Sequence, residues 1–319
     1  MEELNFAIGG YLELELNKKF EYHRNALRLN TGRNALEYIL ETNTYTKIYI
    51  PYFTCDVLLQ PILKLKLKFE FYSIDEKLEP IFDFSKIEEG ECFLYTNYFG
   101  LKDSFVKQLS EKCKNVIIDN AQSFYSKPIN NFNTFYSPRK FFGIPDGGYL
   151  YTSKIIEDDL DQDLSYDRFE HLLKRIDMSP EEGGKYFSLN NEKLNNLPIL
   201  KMSNLTKRML KSFDYNSIAK QRIDNYIFLD EKLGKLNKLK IDFDKNQVPM
   251  VYPFWGNSEL KKKLIENRIY CATYWPNVKE WTRPNTLEYK LTEEMIYLPI
   301  DQRYGVKEME LIVNMIFNV

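Results

Sequence analysis

From residue 30 onward, short apolar runs alternate with stretches whose apolar residues recur at helical spacing. Leu36, Ile39 and Leu40 mark one helical face in LNTGRNALEYILET, behind a Thr31-Gly32 start suited to an N-terminal cap. Lys47 to Pro51 (KIYIP) reads as a strand, Val57 to Leu67 as a helix and Lys68 to Tyr72 as extended. Cys92 to Thr96 reads as a buried strand leading into Asn97-Tyr98-Phe99-Gly100. Val116 to Ile118 form a β-branched strand that stops at a carboxylate, Asp119. Thr134 to Tyr136 form another, ending in the turn Ser137-Pro138-Arg139-Lys140, and Tyr149 to Thr152 a third after Gly147-Gly148. This alternation predicts an α/β fold whose sheet is mostly parallel and covered on both faces.

Past Ser153 the pattern turns polar. IIEDDLDQDLSYDRFEHLLKRIDM predicts one or two surface helices, with Asp158 to Asp163 as a solvated acidic face and a break at Pro180 to Gly184. Leu205 to Leu233 carries Met209, Phe213, Ile218, Ile223, Ile227 and Leu233 at helical spacing and ends at Gly234, which predicts one long helix. Strands and helices then alternate again. Gln247 to Trp255, Ile269 to Trp275 and Met295 to Pro299 read as extended, and Ser258 to Asn267 and 307 to 317 as helical. There is no internal repeat or low-complexity linker.

Composition narrows the functional classes. With 319 residues, 44% apolar and 15% aromatic, the chain can bury a large core and divide into two domains. A net charge of −2, from 44 basic and 46 acidic residues, gives no general attraction to nucleic acid or membrane. The opening MEELNFAIGG has acids and no continuous apolar core, and no run of 18 apolar residues occurs, so the expected compartment is the cytoplasm. Cys55, Cys92, Cys113 and Cys271 are far apart, and His23 and His171 are the only imidazoles, so no metal site or disulfide framework is expected. Neither a G-x-S-x-G elbow, a Walker loop nor a G-x-G-x-x-G fingerprint is present.

What remains is chemistry at strand ends, where α/β sheets place their ligands. Taken singly, Asp119 could cap a turn, Lys140 could be a solvated charge and Asp146-Gly147-Gly148 a tight turn. Taken together, Asp119-Asn120-Ala121-Gln122, Pro138-Arg139-Lys140 and Asp146-Gly147-Gly148 resemble the D-x-A-Q, P-T-K and E-G-G landmarks of the DegT/StrS family of pyridoxal-phosphate-dependent sugar aminotransferases. The resemblance spans nearly the whole chain. Thr31-Gly32-Arg33 is similar to that family's S-G-T, Tyr52-Phe53-Thr54-Cys55 to its P-S-F-T-aromatic segment, and Asn97 to Gly100 to its H-L-Y-G. Arg222 and Asn225, Tyr274-Trp275-Pro276 and Met295 to Pro299 match later landmarks.

The resemblance implies a fold type I transferase, with a large domain over 1–205 and, over 206–319, a long connecting helix and a smaller C-terminal α+β domain. It implies pyridoxal phosphate as cofactor. Lys140 would condense with the cofactor aldehyde and, once freed, act as general base. Asp119 would keep the pyridine nitrogen protonated, with Gln122 beside the ring. Thr31, Gly32 and Arg33 would hold the phosphate at a helix start, where bare amides favour an anion. Two positions depart from the family: Cys55 stands where an aromatic usually stacks, leaving Tyr52 or Phe53 for that role, and Phe135 replaces a phosphate-binding serine, leaving Ser137, Thr134 or Arg139. The implied reaction moves an amino group from glutamate to a nucleotide-linked keto sugar, in surface polysaccharide or related biosynthesis, by a homodimer with sites at its interface. A binding or regulatory protein on the same fold, or another reaction of the same cofactor, are the alternatives.

Overall fold

Side chains in the central strands alternate between two faces, and the sheet they form organises the chain. The computed structural model describes residues 8–156 and 159–318. Strands β1 (Leu27–Leu29), β2 (Lys47–Pro51), β3 (Lys68–Ile74), β4 (Pro80–Ile81), β5 (Glu91–Thr96), β6 (Val116–Asp119), β7 (Asn133–Tyr136) and β8 (Gly148–Tyr151) form one sheet in the order β1-β8-β7-β6-β5-β2-β3-β4. The five central strands, β3, β2, β5, β6 and β7, run parallel, while β8, β1 and β4 pair antiparallel at the two edges.

Ile48, Ile50, Cys92, Leu94, Ile117, Phe135 and Leu150 point to one face, under helices α1 (Gly32–Thr42) and α2 (Leu59–Lys64). Tyr49, Phe93, Tyr95, Val116, Ile118, Tyr136 and Tyr149 point to the other, into a second core rich in aromatics. That period of two is what a sheet covered on both faces requires. Helix α1 buries all seven residues from Asn34 to Leu40, and Thr31 caps it by accepting from the Asn34 amide.

Helices α3 (Asp103–Lys112), α4 (Glu170–Asp177), α5 (Pro180–Lys193), α6 (Asn204–Leu210) and α7 (Tyr215–Leu233) follow in order. A smaller unit then pairs β9 (Tyr252–Trp255) antiparallel with β10 (Met295–Leu298), among α8 (Ser258–Glu266), α9 (Val278–Trp281), α10 (Leu287–Glu294) and α11 (Val306–Phe317). It docks by specific bonds. Ile74 N–H donates to Glu288 at 2.9 Å, Met250 N–H to the Phe99 carbonyl at 2.8 Å, and the Asn277 amide to the Thr54 carbonyl at 3.0 Å. No helix among the described residues is long and apolar enough to cross a membrane.

The structure corrects several elements read from periodicity. The helix expected over Leu205 to Leu233 is two helices, because Asp214 caps a fresh start at Tyr215 by accepting from the Ser217 amide and Phe213 turns inward to stack on Phe142. Pro180 to Gly184 begins α5 instead of breaking a pattern: Ser179 caps, and Pro180 occupies the first turn, where its missing N–H costs nothing. Within the polar stretch after Ser153, residues 159–165 are not helical, and Gln162 bridges to Lys201. Asp163 is buried and holds Arg168 through both carboxylate oxygens, so the acidic face ends before it; Asp158, and residues 1–7 of the N-terminal reading, lie outside the described residues. In the smaller unit, Ile269 to Trp275 contributes only an isolated bridge from Ala272 to Tyr297, and regular pairing begins at Tyr252, not Gln247.

His23 ties the N-terminal segment to the aromatic core, its Nε2 2.7 Å from the Phe124 carbonyl and its Nδ1 3.1 Å from the Tyr151 hydroxyl. Burial pushes its pKa from 6.5 down to about 4, against weaker upward pulls from the Phe124 carbonyl and Glu21. The folded state thus binds the proton more weakly than the unfolded chain, so this group's contribution is intact above pH 6.5 and lost as pH falls from there toward 4. His23→Gln should flatten the fall in stability between pH 7 and 5, where the native chain loses up to about 2 kcal/mol through this group. Urea unfolding of both proteins at the two pH values checks it; parallel losses would contradict the assignment.

Candidate active site

The parallel strands deliver their C-terminal ends to one edge of the sheet, and β6 ends there in a buried acid. Asp119 is 5% exposed. Its Oδ1 accepts from the Ala121 amide at 2.8 Å, and the Thr96 hydroxyl lies 3.5 Å from Oδ2. Burial raises its pKa, while the nearby charge of Lys140 and these two donors pull it back. Lys140 closes the short 3₁₀ turn Pro138–Lys140 that follows β7, and its side chain is exposed to solvent. A buried carboxylate and a solvent-exposed lysine thus stand near each other at the ends of adjacent strands.

The Lys140 turn is held from behind. The Phe141 carbonyl accepts from Arg222 Nη2 at 3.2 Å and from Gln302 Nε2 at 2.9 Å. Arg222, fully buried on α7, also donates to the Met250 carbonyl at 2.9 Å, and its guanidinium lies 4.7 Å from the Phe141 ring centroid. Burial lowers its pKa to about 10, which leaves it charged at neutral pH. This part of the site was named in the sequence only as a pattern match. Its signal was an Arg in the apolar stripe of a helix, which needs buried acceptors.

Gln122 follows Asp119 on the same loop and is 1% exposed. Its Oε1 accepts from the Phe99 amide at 3.2 Å, where the Asn97 to Gly100 turn places Phe99 at φ 58°, and its Nε2 is buried without a partner among the described residues. A buried donor in that state is open to an acceptor on a bound molecule.

At the far end of the crevice lies the start of α1. Thr31 spends its hydroxyl on the cap, accepting from Asn34 N–H and donating to Asn34 Oδ1 at 2.6 Å. Gly32 approaches Ser137 so closely that an added Cβ would sit 3.3 Å from the Ser137 Cβ. Gly148 lets β8 run against the same turn, since a side chain there would overlap the Thr31 backbone and come 2.9 Å from the Gly32 nitrogen. Arg33 reaches Gln60 at 3.0 Å and Asn195. Asp146, by contrast, is tied into a buried network with Arg168 at 2.9 Å and Thr206 at 2.6 Å, and it anchors the turn.

The two aromatics proposed to stack lie elsewhere. Phe53 is fully buried between Tyr98 and Trp275, and Tyr52 stacks on Phe71 at 4.7 Å. Cys55 is the member of that segment brought near the lysine: burial raises its thiol pKa and the charge of Lys140 opposes the rise. Phe135 faces the α1 core and Thr134 bonds the Phe132 carbonyl at 3.3 Å, so neither reaches the crevice as a phosphate ligand. Charge interactions place Lys140 near both Asp119 and Cys55, and Cys55 near Arg33, while Gly32 meets Ser137 at the α1 start, so these groups gather beyond the C-terminal ends of the parallel strands.

No protein-family model matches the chain, and no curated protein matches it in sequence. Solved structures do match in fold. NtdA from Bacillus subtilis, solved with bound cofactor PMP, shares 15% identity over 92% of this chain and 73% of that one, with a TM-score of 0.64. DesV from S. venezuelae shares 14% identity over 92% and 84%, with a TM-score of 0.62. The sugar aminotransferase CalS13 from Micromonospora echinospora shares 14% identity over 92% and 87%, with a TM-score of 0.60. The chain therefore has the fold type I transferase architecture that the sequence landmarks implied.

The raised pKa of Asp119 carries a stability consequence. A folded pKa above the unfolded value of 3.8 means that the carboxyl costs nothing below that value and weighs against folding as pH rises past it. Asp119→Asn keeps an oxygen for Ala121 N–H, so the cofactor-free variant should be more stable than the native chain at pH 7.5 and equal to it near pH 4. Thermal unfolding at both pH values tests this; a less stable variant at pH 7.5 would contradict it.

Proposed function

We propose that the chain is a pyridoxal-phosphate-dependent aminotransferase that moves an amino group from glutamate to a nucleotide-linked keto sugar. The reading extends to a role in surface polysaccharide or related biosynthesis, as a homodimer in the cytoplasm. One observation supports it: a buried carboxylate, a solvent-exposed lysine and, among the described residues, an unpartnered buried amide stand at the ends of parallel strands. The orphaned Gln122 Nε2 supports the fit of the cofactor, because a ring oxygen or nitrogen substituent would satisfy it.

When bound, the cofactor supplies an electron sink for the pair released from a substrate Cα–H bond. The chain's own groups do the rest. Asp119 would sit against the ring nitrogen and hold its proton there, and that cation would relieve the carboxylate of the burial that now raises its pKa. Lys140 Nζ would carry the cofactor and then, freed, take the proton from the donor's Cα. Arg222 and Gln302 would keep the amine at its working height by fixing the Phe141 carbonyl. Exposed Tyr166, Leu173, Ile176 and Met178 offer apolar surface that a second copy would cover, which supports the dimer.

A protein that kept the fold only to bind or regulate would have no use for a lysine amine set against a buried acid. That contrast favours the enzyme. Mixing cofactor-loaded protein with glutamate should shift its visible spectrum to that of the amine form, and a UDP- or dTDP-linked 3-keto or 4-keto sugar should restore it. Restoration only by amino-acid-derived keto acids would overturn the sugar assignment, and no response to glutamate would overturn the donor.

A further inference from the structure

Three buried or partly buried arginines show what this fold does with guanidinium groups. Arg28 pairs with Glu21 at 2.8 Å and Arg168 with Asp146 and Asp163, while Arg222 is surrounded by three carbonyls and Gln302. Two others are handled differently. Arg33, in the first turn of α1, donates only to the side-chain oxygens of Gln60 and Asn195. Arg139, beside Lys140, donates to Asn191 at 2.7 Å and lies 5.4 Å from the Phe187 ring centroid. Among the described residues neither has a carboxylate within salt-bridge distance.

Both are held by one short stretch, Asn191 near the end of α5 and Asn195 four residues later, which brings the two guanidiniums into each other's electrostatic reach. Gln60 joins them, donating to the Asn195 oxygen at 3.1 Å. Burial lowers the pKa of each, that of Arg139 to about 10, and for Arg139 the charge of Arg33 is the next cause. Two like charges kept close on neutral amides, both partly buried, form half of an ion cluster. They flank the Gly32-Ser137 contact at the start of α1, where the helix dipole favours negative charge.

We infer that Arg33 and Arg139 form a two-guanidinium clamp for a dianionic phosphate monoester, replacing with paired forks the hydroxyl donors that Thr31 and Phe135 do not supply. Two cations call for two negative charges, which a phosphate monoester dianion carries on three oxygens and a single carboxylate does not. The identity of the ester, the cofactor's own phosphate, rests on the aminotransferase reading; the clamp itself rests on the residues alone.

The test titrates full-length protein, native and with Arg33→Gln, Arg139→Gln or both, against pyridoxal phosphate, pyridoxal without phosphate, and inorganic phosphate. Each single change should weaken pyridoxal phosphate roughly tenfold or more, the double change further, and pyridoxal should bind all four alike. Inorganic phosphate should compete with pyridoxal phosphate on the native protein and not on the double variant. Arg33→Lys and Arg139→Lys, which keep charge and lose the fork, should fall between native and Gln forms, and they decide the matter if the double variant does not fold. Native-like affinity for pyridoxal phosphate in both single Gln variants, or an equal loss for pyridoxal, would overturn the clamp while leaving Lys140 as cofactor carrier. Stabilisation by inorganic phosphate that vanishes in the Gln variants, with no pyridoxal phosphate bound by any form, would uphold the clamp and overturn the aminotransferase reading.

Discussion

A carboxylate taken out of water beside a lysine amine is the constraint that the rest of this structure serves. Asp119 is buried at the end of β6, and among the described residues its hydrogen-bond donors are the Ala121 amide and a distant Thr96 hydroxyl. A buried carboxylate so lightly satisfied costs folding free energy, and it persists where another group is meant to complete it. The neighbouring orphan at Gln122 Nε2 has the same character. The charge of Lys140 lies close enough to Asp119 to offset part of that burial, and Gln122 sits three residues on in the same loop.

Keeping that deficit in place requires a rigid surround. Two glycines allow β8 and the Ser137 turn to press against the start of α1, which fixes the distance between the Lys140 turn and the helix dipole. From the other side, Arg222 and Gln302 grip the Phe141 carbonyl, so the smaller unit and the lysine turn move together. Trp275 against Phe53, 4.8 Å between centroids, and the Asn277 bond to the Thr54 carbonyl lock the 52–55 segment to the same unit. The smaller unit is thereby part of the site's scaffold, although it places no residue beside Asp119.

Much of this was legible in the chain, for reasons that differ by residue. Strands β2, β5, β6 and β7 were visible because buried parallel strands leave continuous apolar runs, and Asp119 because a carboxylate closes one of them. The α1 start was visible through Thr31, whose cap geometry is local. The break at Lys211 to Asp214 was hidden because apolar spacing continues through Phe213, and tertiary packing on Phe142 decided the conformation. The burial of Asp163 was hidden for a similar reason: its partner Arg168 and the Ser165-Ser203 contact come together only in the fold. Tyr52 and Phe53 were plausible ring partners by type, yet their directions follow from β2 and β3 packing, which periodicity does not give. The pairing of Arg33 with Arg139 is of the same kind, since Asn191 and Asn195 link them across distant sequence.

The central claim is that one site, holding Asp119 and Lys140, receives a ring aldehyde at the lysine amine. Borohydride reduction of the protein incubated with pyridoxal phosphate, followed by peptide mass mapping, tests it most directly. The account predicts one modified peptide, carrying the reduced pyridoxyl group on Lys140, and none in Lys140→Ala. Modification spread over surface lysines with Lys140 untouched would contradict it.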